Sequence, residues 1–265
     1  MDDELEPLYE RDGDRYVPSL YTRSPWSPGA QHGGAPAALL VGAIERHGDG
    51  GLPTQLVRFT VDLLRPIPMA PLRVETATVR PGRRVAVVTA TLSDGDDAIA
   101  RMTALLVRDA EISIPPDVPQ PDDVVPASAP DESGPADYEW PYTAFHTHGC
   151  EVRFARGGLL TPGPSFAWIR LRHAVLAGEV PSPAQRVAAA CDSGNGVSSV
   201  LPFDSWLFVN PDLGVHLHRH PRGEWVGLDA VTLLGDRGAG TAECTLYDVA
   251  GRIGASAQSL LVEPR

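Results

Sequence analysis

Leu63-Leu64-Arg65-Pro66-Ile67-Pro68 lies 154 positions ahead of Leu217-His218-Arg219-His220-Pro221. The same spacing separates Thr91-Leu92-Ser93-Asp94 from Thr245-Leu246-Tyr247-Asp248, and Ile99 from Ile253. Leu105-Leu106-Val107 pairs with Leu260-Leu261-Val262 once one insertion is allowed. No single match means much, but a constant interval is hard to obtain by chance, and it reads as a duplicated unit of about 110 residues. Between the copies, residues 110–136 hold seven prolines from Pro115 to Pro135 among acidic and small polar residues. Such a stretch reads as an extended linker. The chain is therefore expected to divide into an acidic tail (1–15), a first unit (16–109), the linker (110–136) and a second unit (137–265).

Both units follow one plan, a helix and then several strands. In the first, Ser27-Pro28-Gly29-Ala30-Gln31-His32-Gly33-Gly34 leads into an apolar run from Ala37 to Ile44. Pro36 suits the first helical turn and Gly48 a C′ position. Alternation then places Val57, Phe59, Val61 and Leu63 on one strand face, with further strands over 71–80, 84–93 and 98–107. In the second, Ser182-Pro183-Ala184-Gln185 has the form of a capping box, opening a helix expected to run to about Val200. Strands are expected over 204–220, 224–234, 239–248 and 252–263. A helix followed by antiparallel strands, twice, predicts an α+β fold in which each curved sheet wraps one helix and the two sheets join edge to edge.

The overall charge of −12 is less informative than it looks. Seven acids against two arginines in residues 1–15, and nine acids with no base in 109–144, leave the remainder about neutral. Nucleic acid is a poor partner for such a chain, since phosphate contacts need a concentrated basic face. All 22 basic residues are arginine, which excludes Schiff-base chemistry and a phosphate-binding P-loop. Three cysteines without a CxxC pair fit a reducing compartment. With no 18-residue apolar run and an acidic start, the expectation is a cytoplasmic protein with no membrane association.

The candidate chemistry lies in the second unit. Asp192 follows Val187-Ala188-Ala189-Ala190-Cys191, with small neighbours at helical spacing, so a helix enclosed by sheet would largely desolvate its carboxylate, an environment suited to a general base. By the 154 spacing Asp192 corresponds to Ala38 and Asn210 to Leu56; with the insertion, Gln258 corresponds to Thr103. Burying an acid and two amides is costly unless they satisfy one another or a ligand. One reactive site per chain follows.

Trp26-Ser27-Pro28-Gly29-Ala30-Gln31-His32-Gly33-Gly34 before a helix, and a strand ending Leu64-Arg65-Pro66, resemble the N-terminal half of TesB-like acyl-CoA thioesterases, which are double hotdog proteins. The helix bearing Asp192, the strand ending His218-Arg219 and Ala255-Ser256-Ala257-Gln258 resemble their second half. The resemblance implies catalysis by Asp192, Asn210 and Gln258 positioning and activating water, with Asn210 where the family usually carries threonine. It also implies an acyl-CoA substrate, no metal or other cofactor, and a homo-oligomer. The Gly33-Gly34 backbone is a candidate oxyanion donor; an equally plain reading of the pair is close approach of loop to sheet.

Other constellations rank lower. The nearest approach to GxSxG, Gly254-Ala255-Ser256-Ala257-Gln258, ends in Gln and lies in an expected strand. His146-Thr147-His148 and His216-Leu217-His218 lack a carboxylate at fixed spacing for a metal. His32 reads as structural, and Arg65 and Arg219, at equivalent strand ends, read as fold residues able to meet a CoA phosphate. A hotdog enoyl-CoA hydratase would want His or Asn five positions after its Asp, where Val197 stands. A non-catalytic acyl-CoA-binding protein is the other alternative.

Overall fold

The computed structural model describes residues 5–47, 54–119, 124–136 and 139–265. Its first half contains β1 (Tyr9–Asp12), β2 (Arg15–Pro18), α1 (Gly34–His47), β3 (Thr54–Leu63), β4 (Leu72–Arg80), β5 (Val85–Asp94) and β6 (Asp97–Arg108). The second contains β7 (Gly134–Pro135), β8 (Cys150–Gly158), β9 (Thr161–Leu171), α2 (Pro183–Cys191), α3 (Gly194–Val197), β10 (Trp206–Val209), β11 (Asp212–Leu217), β12 (Val226–Leu234), β13 (Ala239–Asp248) and β14 (Gly251–Pro264). Gly48, the expected C′ residue, lies outside the described residues.

One sheet runs β1-β2-β4-β5-β6-β3-β11-β14-β13-β12-β9-β8-β7, with β10 also paired to β14. Either side of the β3–β11 seam the order is the same read outward. The seam is antiparallel, Asp212 opposite Asp62 and His216 opposite Arg58, and Leu63 N–H donates to the Pro211 carbonyl at 2.7 Å beyond it. The two halves thus meet edge to edge, which removes an exposed edge from each.

The 154-residue interval survives as register. β4 and β12 begin and end 154 positions apart, as do β5 and β13. Ala104 faces Val88 as Gln258 faces Ala242, so the interval holds through the last strand without an insertion. This corrects the sequence alignment there: Gln258 corresponds to Ala104, not Thr103, and Leu106 to Leu260. The error matters, because a shift of one residue turns every strand side chain to the other face.

A second correction concerns β3. Leu56 faces Leu106 while Arg58 faces Leu105, leaving Val57 as the extra residue of a bulge. Leu56, Phe59 and Val61 are buried and Val57 is not, because the bulge resets the inward phase. The second copy has the same device. Val209 faces Leu261 and Gly214 faces Ala257, so the span around Asn210 and Pro211 is one residue longer than its partner. The single strand expected over 204–220 is accordingly two, β10 and β11. Pro211 has no N–H to give to a ladder.

α1 is buried from Gly34 through Ile44, as befits a helix apolar on every side. It packs on α2 and on β4, β5 and β6. Leu39, Leu40, Val41 and Ile44 join Phe59, Leu72, Val88 and Leu92 in a core that continues into the second half through Val187, Val215 and Leu228. Each such side chain contributes about 1.5–3 kcal/mol by leaving water. The linker's last residues do not stay clear of the fold. Gly134 and Pro135 pair with Phe154 and Arg153, and the Trp168 indole N–H donates to the Ser128 carbonyl at 2.8 Å. Among the described residues no helix is long and apolar enough to cross a membrane.

Candidate active site

The capping box at the start of α2 is complete. Gln185 N–H donates to Ser182 Oγ at 3.1 Å and Ser182 N–H to Gln185 Oε1 at 2.9 Å. These bonds fix the helix entry, and Pro183 sits where its missing N–H costs nothing. The helix does not run on to Val200. It ends at Cys191, Asp192 is its C-cap, and Ser193 N–H turns back to Ala190 O at 3.0 Å. Ser193-Gly194-Asn195-Gly196 holds helix poorly, and the chain re-forms only the single turn of α3. Asp192 is thereby placed at a helix end facing the start of α1.

Two chain segments converge on its carboxylate, which is only 6% exposed. Asn210 Nδ2 donates to Oδ1 at 2.8 Å and to the Asp212 carbonyl at 3.2 Å. Those bonds depend on the bulge, which turns Asn210 from the ladder. Asp212 steadies the same irregularity by accepting the Ser259 N–H at 2.6 Å. From the first half, His32 Nδ1 lies 2.9 Å from Oδ2. Gly33 is equally close: a Cβ there would sit 2.8 Å from Oδ2 and 2.9 Å from Oδ1.

His32 Nδ1 is also 3.1 Å from the Gly34 N–H. The Gly34 N–H donates to Nδ1, so Nδ1 is an acceptor and in the neutral ring the hydrogen sits on Nε2; the contact with Asp192 Oδ2 is one of proximity. Nε2 makes no hydrogen bond among the described residues.

Gln258 is placed differently from the expectation that it holds water. Strand alternation turns it inward on β14, between buried Ser256 and Leu260. Its Oε1 accepts the Asn195 N–H at 3.0 Å and its Nε2 donates to the Asp192 carbonyl at 3.2 Å. It touches the Asp192 main chain, joining α2 to α3, and does not line the adjoining cavity. Gly33 does line it. The Gly33 carbonyl accepts the Ala37 N–H at 3.0 Å, which makes Gly33 the N-cap of α1, where amides point outward and the helix dipole favours negative charge.

The cavity is about 1070 Å³. His32, Gly33, Asp192 and Asn210 form one part of its wall. Trp26, Trp140, Phe203 and Phe208 form an aromatic part, Trp26 stacked on Phe203 with centroids 4.4 Å apart. Arg65, Arg153 and Arg172 also line it. Its equivalent Arg219 does not: it pairs bidentately with the fully buried Asp248, so the two strand-end arginines have parted roles.

His146 lines the cavity from the turn Phe145–Gly149, its ring edge-on to Trp140 at 4.9 Å. Burial, with repulsion from His32 and His148, pushes its imidazole down to about 3, and its buried Nδ1 has no partner among the described residues. The three cysteines are buried and free. Burial pushes the Cys244 thiol up to about 12 and those of Cys150 and Cys191 well up, so none offers a thiolate at neutral pH. Among the described residues no group of three His, Cys, Asp or Glu side chains could hold a metal ion.

His32 is the site residue that sequence reading set aside. The carboxylate beside it comes from the other half, 160 positions away, and no spacing within either copy connects them.

Two family models match the chain: an acyl-CoA thioesterase N-terminal domain over residues 22–107 and an acyl-CoA thioesterase C-terminal domain over residues 121–262. No curated protein sequence matches. Among solved structures, a protein of unknown function with hot dog fold from Alicyclobacillus acidocaldarius superposes with a TM-score of 0.71 at 19% identity, over 97% of this chain and 95% of that one. An acyl-CoA thioesterase II from Mycobacterium marinum gives 0.68 at 16% identity, over 97% and 96%. The tesB protein of Mycobacterium avium subsp. paratuberculosis gives 0.67 at 17%, over the same shares. At these identities the likeness establishes a hotdog fold.

Proposed function

The chain belongs to the acyl-CoA thioesterase family and is a thioester hydrolase, and from that premise we propose that it cleaves an acyl-CoA to the free acid and CoA by water attack at the Asp192 cluster. The observation that carries this reading is the convergence of Asp192, Asn210, His32 and Gly33 on the wall of one cavity. In it, the Asp192 carboxylate is the anionic centre toward which the attacking water is polarised, and Asn210 fixes one of its oxygens. Gln258 is a positioning residue that holds the Asp192 main chain. The Gly33 N–H at the start of α1 faces the carbonyl oxygen as negative charge develops there. The tetrahedral intermediate collapses with loss of the CoA thiolate, which leaves without a covalent nucleophile. Arg65, Arg153 and Arg172 supply positive charge for the phosphates of CoA.

The same proposal divides the chain into the acidic tail, units 16–109 and 137–265, and the linker 110–136, with one helix enclosed by each unit's sheet. The repeated register and the burial of α1 support it.

Thiol release from a panel of acyl-CoAs tests the activity. Asp192→Asn is expected to lower kcat about 10²–10⁴-fold; a variant that keeps its rate would overturn the assignment. Hydration of an enoyl-CoA without thiol release would point to a lyase, and binding without turnover to a sensor or carrier.

A further inference from the structure

Resting on the hydrolytic reading above, we propose that the acyl group taken by this site is aromatic, an uncharged aryl ring joined to the thioester carbonyl directly or through one or two carbons. The chain has five tryptophans and six phenylalanines, and two of each meet on one wall of the cavity. Besides the stacked pair of Trp26 and Phe203, Phe208 stands edge-on to Trp26 at 5.0 Å and Trp140 edge-on to Phe203 at 5.4 Å. These rings come from the loop before α1, the segment before β8 and the stretch entering β10, so their meeting is a product of the tertiary fold.

The wall begins where the reacting groups end. Phe208 lies two residues before Asn210, and its carbonyl accepts Asn195 Nδ2 at 3.1 Å. The Asn195 N–H is held by Gln258, which also holds the Asp192 main chain. On the other side Trp140 meets His146, which is close enough to His32 for the two rings' charges to interact. A thioester carbonyl beside Gly33 and Asp192 therefore delivers its acyl substituent to the rings within a few bonds.

Three properties of this wall favour an aryl group over an alkyl chain. Offset and edge-to-face contacts with a bound ring add to what burial of its area contributes. A flat ring has few torsions to lose, whereas a linear chain surrenders rotamer freedom along its length. The wall also offers no counterion to a charged acyl group: His146 is held neutral by burial, and Leu201 and Val209 extend the apolar surface. The Arg265 guanidinium, 5.1 Å from the Trp26 centroid and 4.8 Å from that of Phe203, steadies both rings without lining the cavity.

Phenylacetyl-CoA, cyclohexylacetyl-CoA and octanoyl-CoA carry the same number of acyl carbons and differ in aromaticity and flexibility. Thiol release by the wild-type protein should give phenylacetyl-CoA a kcat/KM about tenfold or more above each of the others. Phe203→Leu, at a half-buried position, should lower the phenylacetyl-to-octanoyl ratio about fivefold; the ratio is read because loss of folded protein lowers both rates alike. Quenching of tryptophan fluorescence in Asp192→Asn, against CoA alone, reads binding without turnover, with phenylacetyl-CoA bound about tenfold more tightly than octanoyl-CoA. Octanoyl- or cyclohexylacetyl-CoA hydrolysed as well as phenylacetyl-CoA, or an unaltered ratio in Phe203→Leu, would overturn the aryl subsite and leave hydrolysis at the Asp192 cluster standing. No thiol release from any of these thioesters, with phenylacetyl-CoA still bound more tightly, removes the hydrolytic reading and keeps the subsite. Neither turnover nor a binding preference removes both.

Discussion

Gly33 lacks a side chain because the Asp192 carboxylate occupies the space one would need. A methyl group there would stand 2.8–2.9 Å from both carboxylate oxygens, well inside van der Waals contact, so the carboxylate rather than the rigid start of α1 must yield. Gly33→Ala should therefore act on the site before it acts on the fold. A misplacement of about 1 Å costs on the order of 100-fold in rate, so kcat should fall by about that factor while the thermal midpoint stays within a few degrees; paired kinetics and thermal melts check it. The residues at this site were unequally legible in the chain. Asp192 and Asn210 stood out because the first copy has Ala38 and Leu56 there, both buried; Gln258 was set against Thr103, and only the sheet register shows that its true counterpart is the buried Ala104. What each amide touches was not legible. Gln258 was expected at the water, yet strand alternation and the break between α2 and α3 bring its amide to the main chain. His32 carried no such contrast, since its meaning depends on a residue contributed by the other copy.

The bulge is the element that turns a duplicated scaffold into a one-sided site. Both copies carry it, with Val57 as the extra residue in the first and the corresponding Pro211 in the second. The first copy places Leu56 beside it and buries that side chain in the core, whereas the second places Asn210 there and points it at Asp192. The irregularity is thus inherited, and the chemistry comes from a single residue. Asn210→Leu, which writes the first copy into the second, should remove the donor to Oδ1 and lower kcat about tenfold or more, with KM little changed. The loss of one hydrogen bond to a charged group costs about 1.5–3 kcal/mol, part of it offset by the apolar side chain, so a melt should register only a modest decrease. Alternation alone could not reveal the bulge. A period of two gives the same pattern on either side of an inserted residue, and only the pairing partner shows that the phase has changed. The capping box of α2, by contrast, was fully legible, because its bonds lie within four consecutive residues.

At the scale of the whole molecule, the two copies share one sheet and one core but have divided their labour, and the strand-end arginines show how. Arg65 pairs with Asp97 where both side chains are more than half exposed, and it lines the cavity. Arg219 closes on Asp248, which is fully buried and also accepts the Arg222 and Ala250 N–H groups. Burial pushes the Asp248 carboxyl up, but the Arg219 guanidinium and the two amides outweigh it and hold the group below the usual range. A carboxyl depressed in the folded state stabilises fully above its unfolded value of about 4, and the contribution is lost as pH falls through the lower folded value. Asp248→Asn should therefore lower stability at pH 7 by about 2 kcal/mol, less than a wholly buried pair because Arg219 is 25% exposed. It should also flatten the dependence of the thermal midpoint on pH below the unfolded value of about 4, where the wild type loses this contribution as the native carboxylate is protonated. Asp97→Asn, at the exposed pair of the first copy, should change stability by about 0.5 kcal/mol or less and leave that slope intact. Melts of the two variants and the wild type across this range decide the matter: equal slopes in all three would mean that Asp248 does not anchor the second half, and that its network is no more than a surface ion pair drawn inward.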